Sequence, residues 1–503
     1  MAAARPLAVS SSAPVVSVVR DDSVWTLTGP EQAHSRSATI GDEVFAGWHT
    51  DGRRLIVEHD RYGVHPFFYT ATRESIQLST SIDSLLASGV ASAVDDSAMA
   101  VFLRTGFFVG DDTPFAAIRA IPPAAALVWG PGGPSVRSRW TPPAASRLTR
   151  VAAVSAFGDV FASAMARRLA DSRRPVAVLL SGGHDSRHIL LAMHELKQLP
   201  DHAVTVEPYP PAAPEDVAVA RAVASAVGVR HTVLPHHPRR VAAERAKNRL
   251  THYCADEHAE FLPLRAFFER EPCTVFDGVG GDVLSQNQKL DGSLHRLFTS
   301  GRFDLVAERV LGDAATVEPA LARLLTPQAQ ARYSRARAIA RVASEAARYA
   351  NAPNPIGAFF FFTRMRRAVA LAPYGVLDAT AVHTPFLDRD VVDFLLSLPY
   401  DLVADRRLHA AVLHKRYPEF AHLPFAGTLQ GKDDRRLVQR DAIDLARLAV
   451  VERSPSLRAR MVVMRALRAF RSGRSAELSL LPRIVHLLDV AQCGADGPRR
   501  ARK

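Results

Sequence analysis

The chain has 503 residues, a length that at about 150 residues per domain calls for two to four domains with real apolar cores. Hydrophobic residues make up 48% and charged residues 23%, which excludes a mostly disordered chain and a collagen-like fibre. The three cysteines, Cys254, Cys273 and Cys493, have no paired spacing, so neither a disulfide framework nor a zinc cluster is expected. That cysteine usage suits a reducing compartment. The apolar runs are too short to span a bilayer, and the first residues lack the apolar stretch of a signal peptide, so a cytoplasmic protein with no membrane partner is expected. The net charge of +12 is almost all arginine, since only six of the 63 basic residues are lysine. With so much alanine this matches a GC-rich coding sequence better than a nucleic-acid ligand, and no aromatic-basic recognition motif accompanies the charge. Residues 451–503 carry 12 basic and 4 acidic side chains at helical spacing, read as an amphipathic helix pair with a solvated basic face.

In chain order, residues 1–140 read as β-rich. SVVR, VWTLTG, EVFAGWHT, RLIVEHD, PFFYTA and SIQLSTS alternate or are β-branched, with turns at Asp51-Gly52 and Tyr62-Gly63. Short helices are predicted over 81–89 and 95–104. Ile121-Pro122-Pro123 and Trp140-Thr141-Pro142-Pro143 mark a domain exit, giving domains at 1–145 and 150–503. A helical pattern over 151–169 follows. PVAVLL (175–180) is then a continuous apolar run, as expected of a strand buried on both faces. Strands at 202–207, 231–235 and 273–278 alternate with helices at 186–196, 215–228 and 241–269. This alternation predicts a doubly wound parallel sheet over about 170–285, with a helical part over about 300–503. The fold class is therefore a two-domain combination of α+β and α/β.

Two strand ends carry chemistry. Ser181-Gly182-Gly183-His184-Asp185-Ser186 directly follows PVAVLL. Its glycines let backbone amides approach an anion, the next helix directs its positive end there, and Ser181 and Ser186 add hydroxyls. Asp185 would repel a phosphate unless a cation lay between them, which suits Mg²⁺. The spacing is not that of a Walker A loop; the segment resembles the SGGxDS loop of the PP-loop ATP pyrophosphatases. The second motif, Asp277-Gly278-Val279-Gly280-Gly281-Asp282, ends another buried strand and opens onto the same sheet edge. Asp185 and Asp282 can then share a metal, with Gly278 and Gly280 joining Ser181, Gly182, Gly183, Asp185 and Ser186 as the ATP-binding set. The bland alternative at each place is an ordinary turn.

These motifs, together with Asp60-Arg61-Tyr62-Gly63-Val64-His65-Pro66-Phe67-Phe68-Tyr69 (like DRxGxxPLYY), the segment 79–89 (like SEIKALL), Ile121-Pro122-Pro123 and Pro385-Phe386-Leu387-Asp388 (PFLD), make the chain resemble the asparagine synthetase family over most of its length. The resemblance implies an Ntn-hydrolase-like sandwich of the class II glutamine amidotransferase type, followed by a PP-loop synthetase domain. It also implies ATP and Mg²⁺ as cofactors and an AMP-forming amide ligase reaction. The family's glutaminase uses an N-terminal cysteine. Here residue 2 is Ala2 and no cysteine precedes Cys254, so no glutaminase activity is expected. Val279 stands where asparagine synthetases carry a glutamate and β-lactam synthetases a tyrosine, and it cannot accept a proton. The ExRx before PFLD reads Ala381-Val382-His383-Thr384. Arg187 and His188 replace the usual serine, and Arg187 is open to a phosphate or a surface carboxylate. Lys432, in a glycine loop after PFLD, matches the family's lysine that stabilises adenylation, with a solvated lysine as the alternative.

The expected reaction joins a small-molecule or peptide carboxylate to ammonia or a substrate amine. Within it, an ammonia-using asparagine synthetase-like enzyme competes with a tailoring enzyme similar to lasso peptide cyclases and β-lactam synthetases, acting alone or with a biosynthetic partner. A nucleotide-binding pseudo-enzyme scaffold is the non-catalytic alternative.

Overall fold

The computed structural model describes residues 15–21, 24–28, 32–36, 45–50, 54–138, 140–212, 215–287, 289–377, 381–427 and 431–495. The Asp51-Gly52 turn lies outside the described residues. Among the described residues ten strands lie in the first half: β1 Val16–Asp21, β2 Val24–Thr28, β3 Gln32–Arg36, β4 Phe45–Thr50, β5 Leu55–His59, β6 Phe68–Ala71, β7 Ser75–Ser79, β8 Arg119–Ala120, β9 Ala125–Gly130 and β10 Gly133–Ser138. They make two antiparallel sheets, ordered β2-β1-β7-β6-β8 and β10-β9-β5-β4-β3. Period-two alternation turns Leu55 and Val57 of β5, Ile76 and Leu78 of β7, and Leu127 and Trp129 of β9 into one apolar layer with Trp48 and Phe67.

Four strands of this half were not foreseen. β10 is an edge strand whose residues after Gly133 are exposed, so it lacks the alternation a half-buried strand shows. β8 has only two residues, and β3 and β9 carry too few β-branched side chains to stand out.

The second half begins with the helix Arg150–Asp171, capped by the Thr149 hydroxyl. Its sheet holds β11 Val176–Leu179, β12 His202–Val206, β13 His231–Leu234, β14 Thr274–Phe276 and β15 Ala381–His383, all parallel, in the order β13-β12-β11-β14-β15. Both faces are covered. Val176 and Val178 join the main core with helices Asp185–Glu195 and Glu215–Val227, while Ala177, Val204 and Val275 pack on Leu264, Phe267 and Phe268 of helix Leu262–Arg270. The sheet is doubly wound, and its order reverses between β11 and β14, the place where ligand crevices form in such sheets.

Two expectations are corrected here. The continuous helix over 241–269 is two helices, Arg240–Leu250 and Leu262–Arg270. Between them the chain leaves helical geometry at His252, Tyr253 and His258, all with positive φ. Contacts with other elements hold the break: Ala255 bridges Phe107, and the Asp256 amide donates to the Gly106 carbonyl. The fifth strand, β15, sits in a region read as helical. At the C-terminus a helix pair is present, but only Ala459–Ser472 shows the exposed basic face; Leu481–Ala495 buries Leu481, Ile484, Val485 and Leu488. The three cysteines are free thiols.

Candidate functional site

The buried strand β11 delivers Ser181–Ser186 to the reversal point, and β14 delivers Asp277–Asp282 beside it. The two loops are joined directly, since the Asp282 amide donates to Asp185 Oδ2 at 2.8 Å. The glycines of the second loop are what permit this approach. A Cβ on Gly281 would lie 2.6 Å from Asp185 Cγ, and one on Gly278 would lie 2.9 Å from Asp185 Cβ. Gly280 has φ +95°, and a Cβ there would meet Leu387 of the PFLD segment at 2.7 Å.

The first loop is closed on itself. Ser186 Oγ accepts the Ser181 amide at 2.9 Å and lies 3.0 Å from Ser181 Oγ, which accepts the Gly183 amide at 3.2 Å. The Gly182 amide donates to Asp216 Oδ1 at 2.8 Å. Both glycine amides read as an anion cradle are thus engaged, and a phosphate there would displace the Asp216 carboxylate and the Ser181 hydroxyl. The first amides of helix Asp185–Glu195 add donors that a helix of this kind leaves without intrahelical partners.

Three carboxylates gather at this edge. Burial pushes Asp185 up to about 7; Asp282, though exposed at its rim, is raised to about 6 by partial loss of hydration and then by the negative charge of Asp185. Burial also lifts Asp277 to about 6. Asp185 Oδ1 and Asp277 Oδ2 are buried without a hydrogen-bond partner. Two neighbouring carboxylates, one raised by the charge of the other and that other with an orphaned buried oxygen, fit a hard divalent cation. Among the described residues no group of three or more His, Cys, Asp or Glu side chains is arranged to hold a metal. Asp185 and Asp282 are the two carboxylates here that could hold a divalent cation; Mg²⁺ commonly takes one or two carboxylates and fills its sphere with phosphate oxygens and water.

Several residues at the site escaped the sequence reading. His409 Nδ1 lies 3.2 Å from Asp185 Oδ1 and 3.2 Å from Ser285 Oγ, and its Nε2 lies 2.9 Å from His188 Nδ1. Arg364, ion-paired with Glu257 at 2.8 Å, acts electrostatically on Asp282. Only spatial proximity identifies these; no local spacing in the chain marks them.

Segment 423–427 lies over the first loop. The Ala426 amide donates to the Gly182 carbonyl at 3.0 Å, and Phe425 stacks on His184 with ring centroids 3.9 Å apart. Arg187 takes neither of the roles weighed for it. It is buried, donates to the Leu423 and Pro424 carbonyls, and lies over the Phe425 ring at 4.0 Å. Lys432 is exposed, a few residues beyond this segment and next to Gly431, whose amide donates to the Pro211 carbonyl. Asp388 of PFLD faces away from the loops: it caps helix Arg389–Ser397 and pairs with Arg168 at 2.6 Å and Arg167 at 2.8 Å.

Fold and strand ends together define a two-domain protein, an Ntn-hydrolase-like sandwich joined to a PP-loop sheet with a helical C-terminal part. Residues 25–140 match the glutamine amidotransferase domain model, and residues 156–354 match the asparagine synthase model. With these two matches in this order, the chain belongs to the asparagine synthetase family. No curated protein matches the chain significantly.

Proposed function

We propose that the chain is an ATP-dependent, AMP-forming amide ligase that activates a carboxylate as its acyl-adenylate. The observation that carries this reading is the 2.8 Å bond from the Asp282 amide to Asp185 at the reversal point of the sheet. In the reading, Asp185 and Asp282 hold Mg²⁺, which when bound offsets the charge of the leaving pyrophosphate. Ser181, Gly182, Gly183 and Ser186 hold the phosphates, exchanging their internal bonds for bonds to ATP, and Gly278 and Gly280 keep the second loop close. Lys432 stabilises the charge that develops at the α-phosphate. A carboxylate oxygen of the substrate attacks the α-phosphorus, and the bond to the β-phosphate breaks. An amine nitrogen then attacks the acyl carbon, AMP leaves, and the amine gives up a proton.

The amine does not come from glutamine in this reading. No cysteine precedes Cys254, and Cys254 is fully buried, its thiol pushed up to about 11 by that burial. A missing nucleophile favours a tailoring enzyme, in which the substrate brings its own amine, over one fed by ammonia. The domain division at 1–145 and 150–503 belongs to the same proposal: the first part serves as a scaffold and the second performs the chemistry.

The test is product analysis with ATP, Mg²⁺ and a panel of carboxylates, supplied with ammonia or carrying their own amine. The reading expects AMP and pyrophosphate formed together with the amide, and no glutamate released from glutamine. ADP as product would overturn the adenylate reading, and no turnover across amino acids and amine-bearing peptides would favour the scaffold.

A further inference from the structure

Behind Asp185 lies a buried polar chain in apolar surroundings. His188 and His409 are both fully buried. Phe161 lies against the His188 ring at 3.9 Å, and Phe157 and Phe386 pack on His409 at 5.3 and 5.4 Å. In such an environment every proton position matters, because an unpaired N–H is costly to bury.

Three contacts fix those positions. Ser285 Oγ lies 2.6 Å from the Gly281 carbonyl, which accepts only, so the serine proton is spent there. Ser285 Oγ can then only accept from His409 Nδ1, 3.2 Å away, and Nδ1 must carry a proton. His409 Nε2, in a neutral ring, is then the acceptor, so His188 Nδ1 is the donor across their 2.9 Å contact. His188 Nε2 is left as a bare lone pair, and it is this atom that is buried without a partner. The reverse arrangement would strand an N–H at His188 Nε2 and turn a lone pair of His409 toward the Asp185 carboxylate.

We infer that His409 is a positioning residue for Asp185: its Nδ1–H, in a tautomer imposed by Ser285 and His188, faces Asp185 Oδ1 at 3.2 Å while the Asp282 amide holds Oδ2. Oδ2 is held by a hydrogen bond, whereas Oδ1, which accepts none, lies against the positive end of the Nδ1–H that Ser285 engages and stays open to a cation. This rests on the reading of Asp185 as a Mg²⁺ ligand. Outer partners of metal-binding carboxylates orient them, and removing one typically costs about 10- to 100-fold in metal affinity.

The test titrates the full chain with Mg²⁺–ATP by calorimetry, without any carboxylate substrate. His409→Asn keeps an N–H where Nδ1 stands, whereas His409→Gln moves its amide toward His188 and leaves that place empty. The inference expects His409→Asn to stay within about threefold of the parent, and His409→Gln and His409→Ala to bind about 10- to 100-fold more weakly. Equal affinity for the Asn and Gln variants, with Asp185→Asn weakened, overturns the positioning role and leaves the Mg²⁺ reading standing. Unchanged affinity in Asp185→Asn overturns both. A second readout needs no ligand. Nitrogen NMR of the ¹⁵N-histidine-labelled chain should show His188 and His409 both protonated at Nδ1, and an Nε2-protonated His409 contradicts the inference.

Discussion

Asp185 and Gly281 form a matched pair, a carboxylate and the absence of a side chain where that carboxylate must sit. Gly281→Ala is expected to leave thermal stability near the parent's while pushing Asp185 aside. A displacement of this kind at a reacting centre costs about 100-fold, to be read as the rate of AMP formation. Asp185→Asn should lose at least about 100-fold in the same assay. Its effect on stability has the opposite sign. In the folded chain Asp185 titrates at about 7, whereas in an unfolded chain an aspartate titrates near ~3.9. The folded state therefore holds a proton that the unfolded state has released, and ionising Asp185 costs stability as pH rises through that window. In metal-free buffer, Asp185→Asn should melt above the parent at pH 8, with the gap narrowing by pH 5; a lower melting temperature at pH 8 would refute the burial argument. At this scale the sequence was legible where chemistry is local. Six consecutive residues define each loop, and Asp185 and Asp282 come together as their strand ends implied. His409 was not legible, because it stands 221 residues from His188 and 124 from Ser285, and no short motif spans such distances.

Helices and strands show the same division. Four strands of the parallel sheet could be read from their apolar runs, but β15 has three residues and follows a stretch of helices, so its pattern is too brief to register. The break in the helix pair at 251–258 is imposed from outside, by Gly106 and Phe107 of the other half, and leaves no trace in the local periodicity. The PFLD aspartate is a different case: its conspicuous motif suggests chemistry, yet its partners are structural. Asp388 clamps helix Arg150–Asp171 to helix Arg389–Ser397 through Arg167 and Arg168, and the Arg168 pair is buried at both ends. Removing one member of a buried pair typically costs about 3–5 kcal/mol. Asp388→Asn should lose stability on that scale in urea unfolding at pH 7. Although burial opposes it, the two arginines hold the Asp388 carboxyl below its ordinary value, so its contribution is present above the unfolded pKa of ~3.9 and lost as pH falls further. The difference between parent and variant should accordingly shrink at low pH.

Over the whole molecule the two halves share one core. Phe102, Phe108 and Phe115 from the first half belong to the same apolar cluster as Phe361, Phe362 and Met365 from the second. Arg366 is driven through this junction, donating to the carbonyls of Gly63, Gly110 and Ile121 at 3.0, 3.0 and 2.6 Å, and Arg367 reaches the Asp112 carbonyl at 2.7 Å. Gly63, at φ +64°, leaves room for it, since a Cβ there would stand 2.7 Å from Arg366 Nε. Arg366→Met leaves three carbonyls without that donor and should destabilise the chain by about 3 kcal/mol or more, seen as a lower melting temperature in calorimetry. The central claim remains the shared grip of Asp185 and Asp282, and electron paramagnetic resonance with Mn²⁺ in place of Mg²⁺ tests it most directly. With ATP present, the parent should bind one Mn²⁺ per chain, and Asp185→Asn and Asp282→Asn should each lose it. Retention of that ion in either variant would contradict the account.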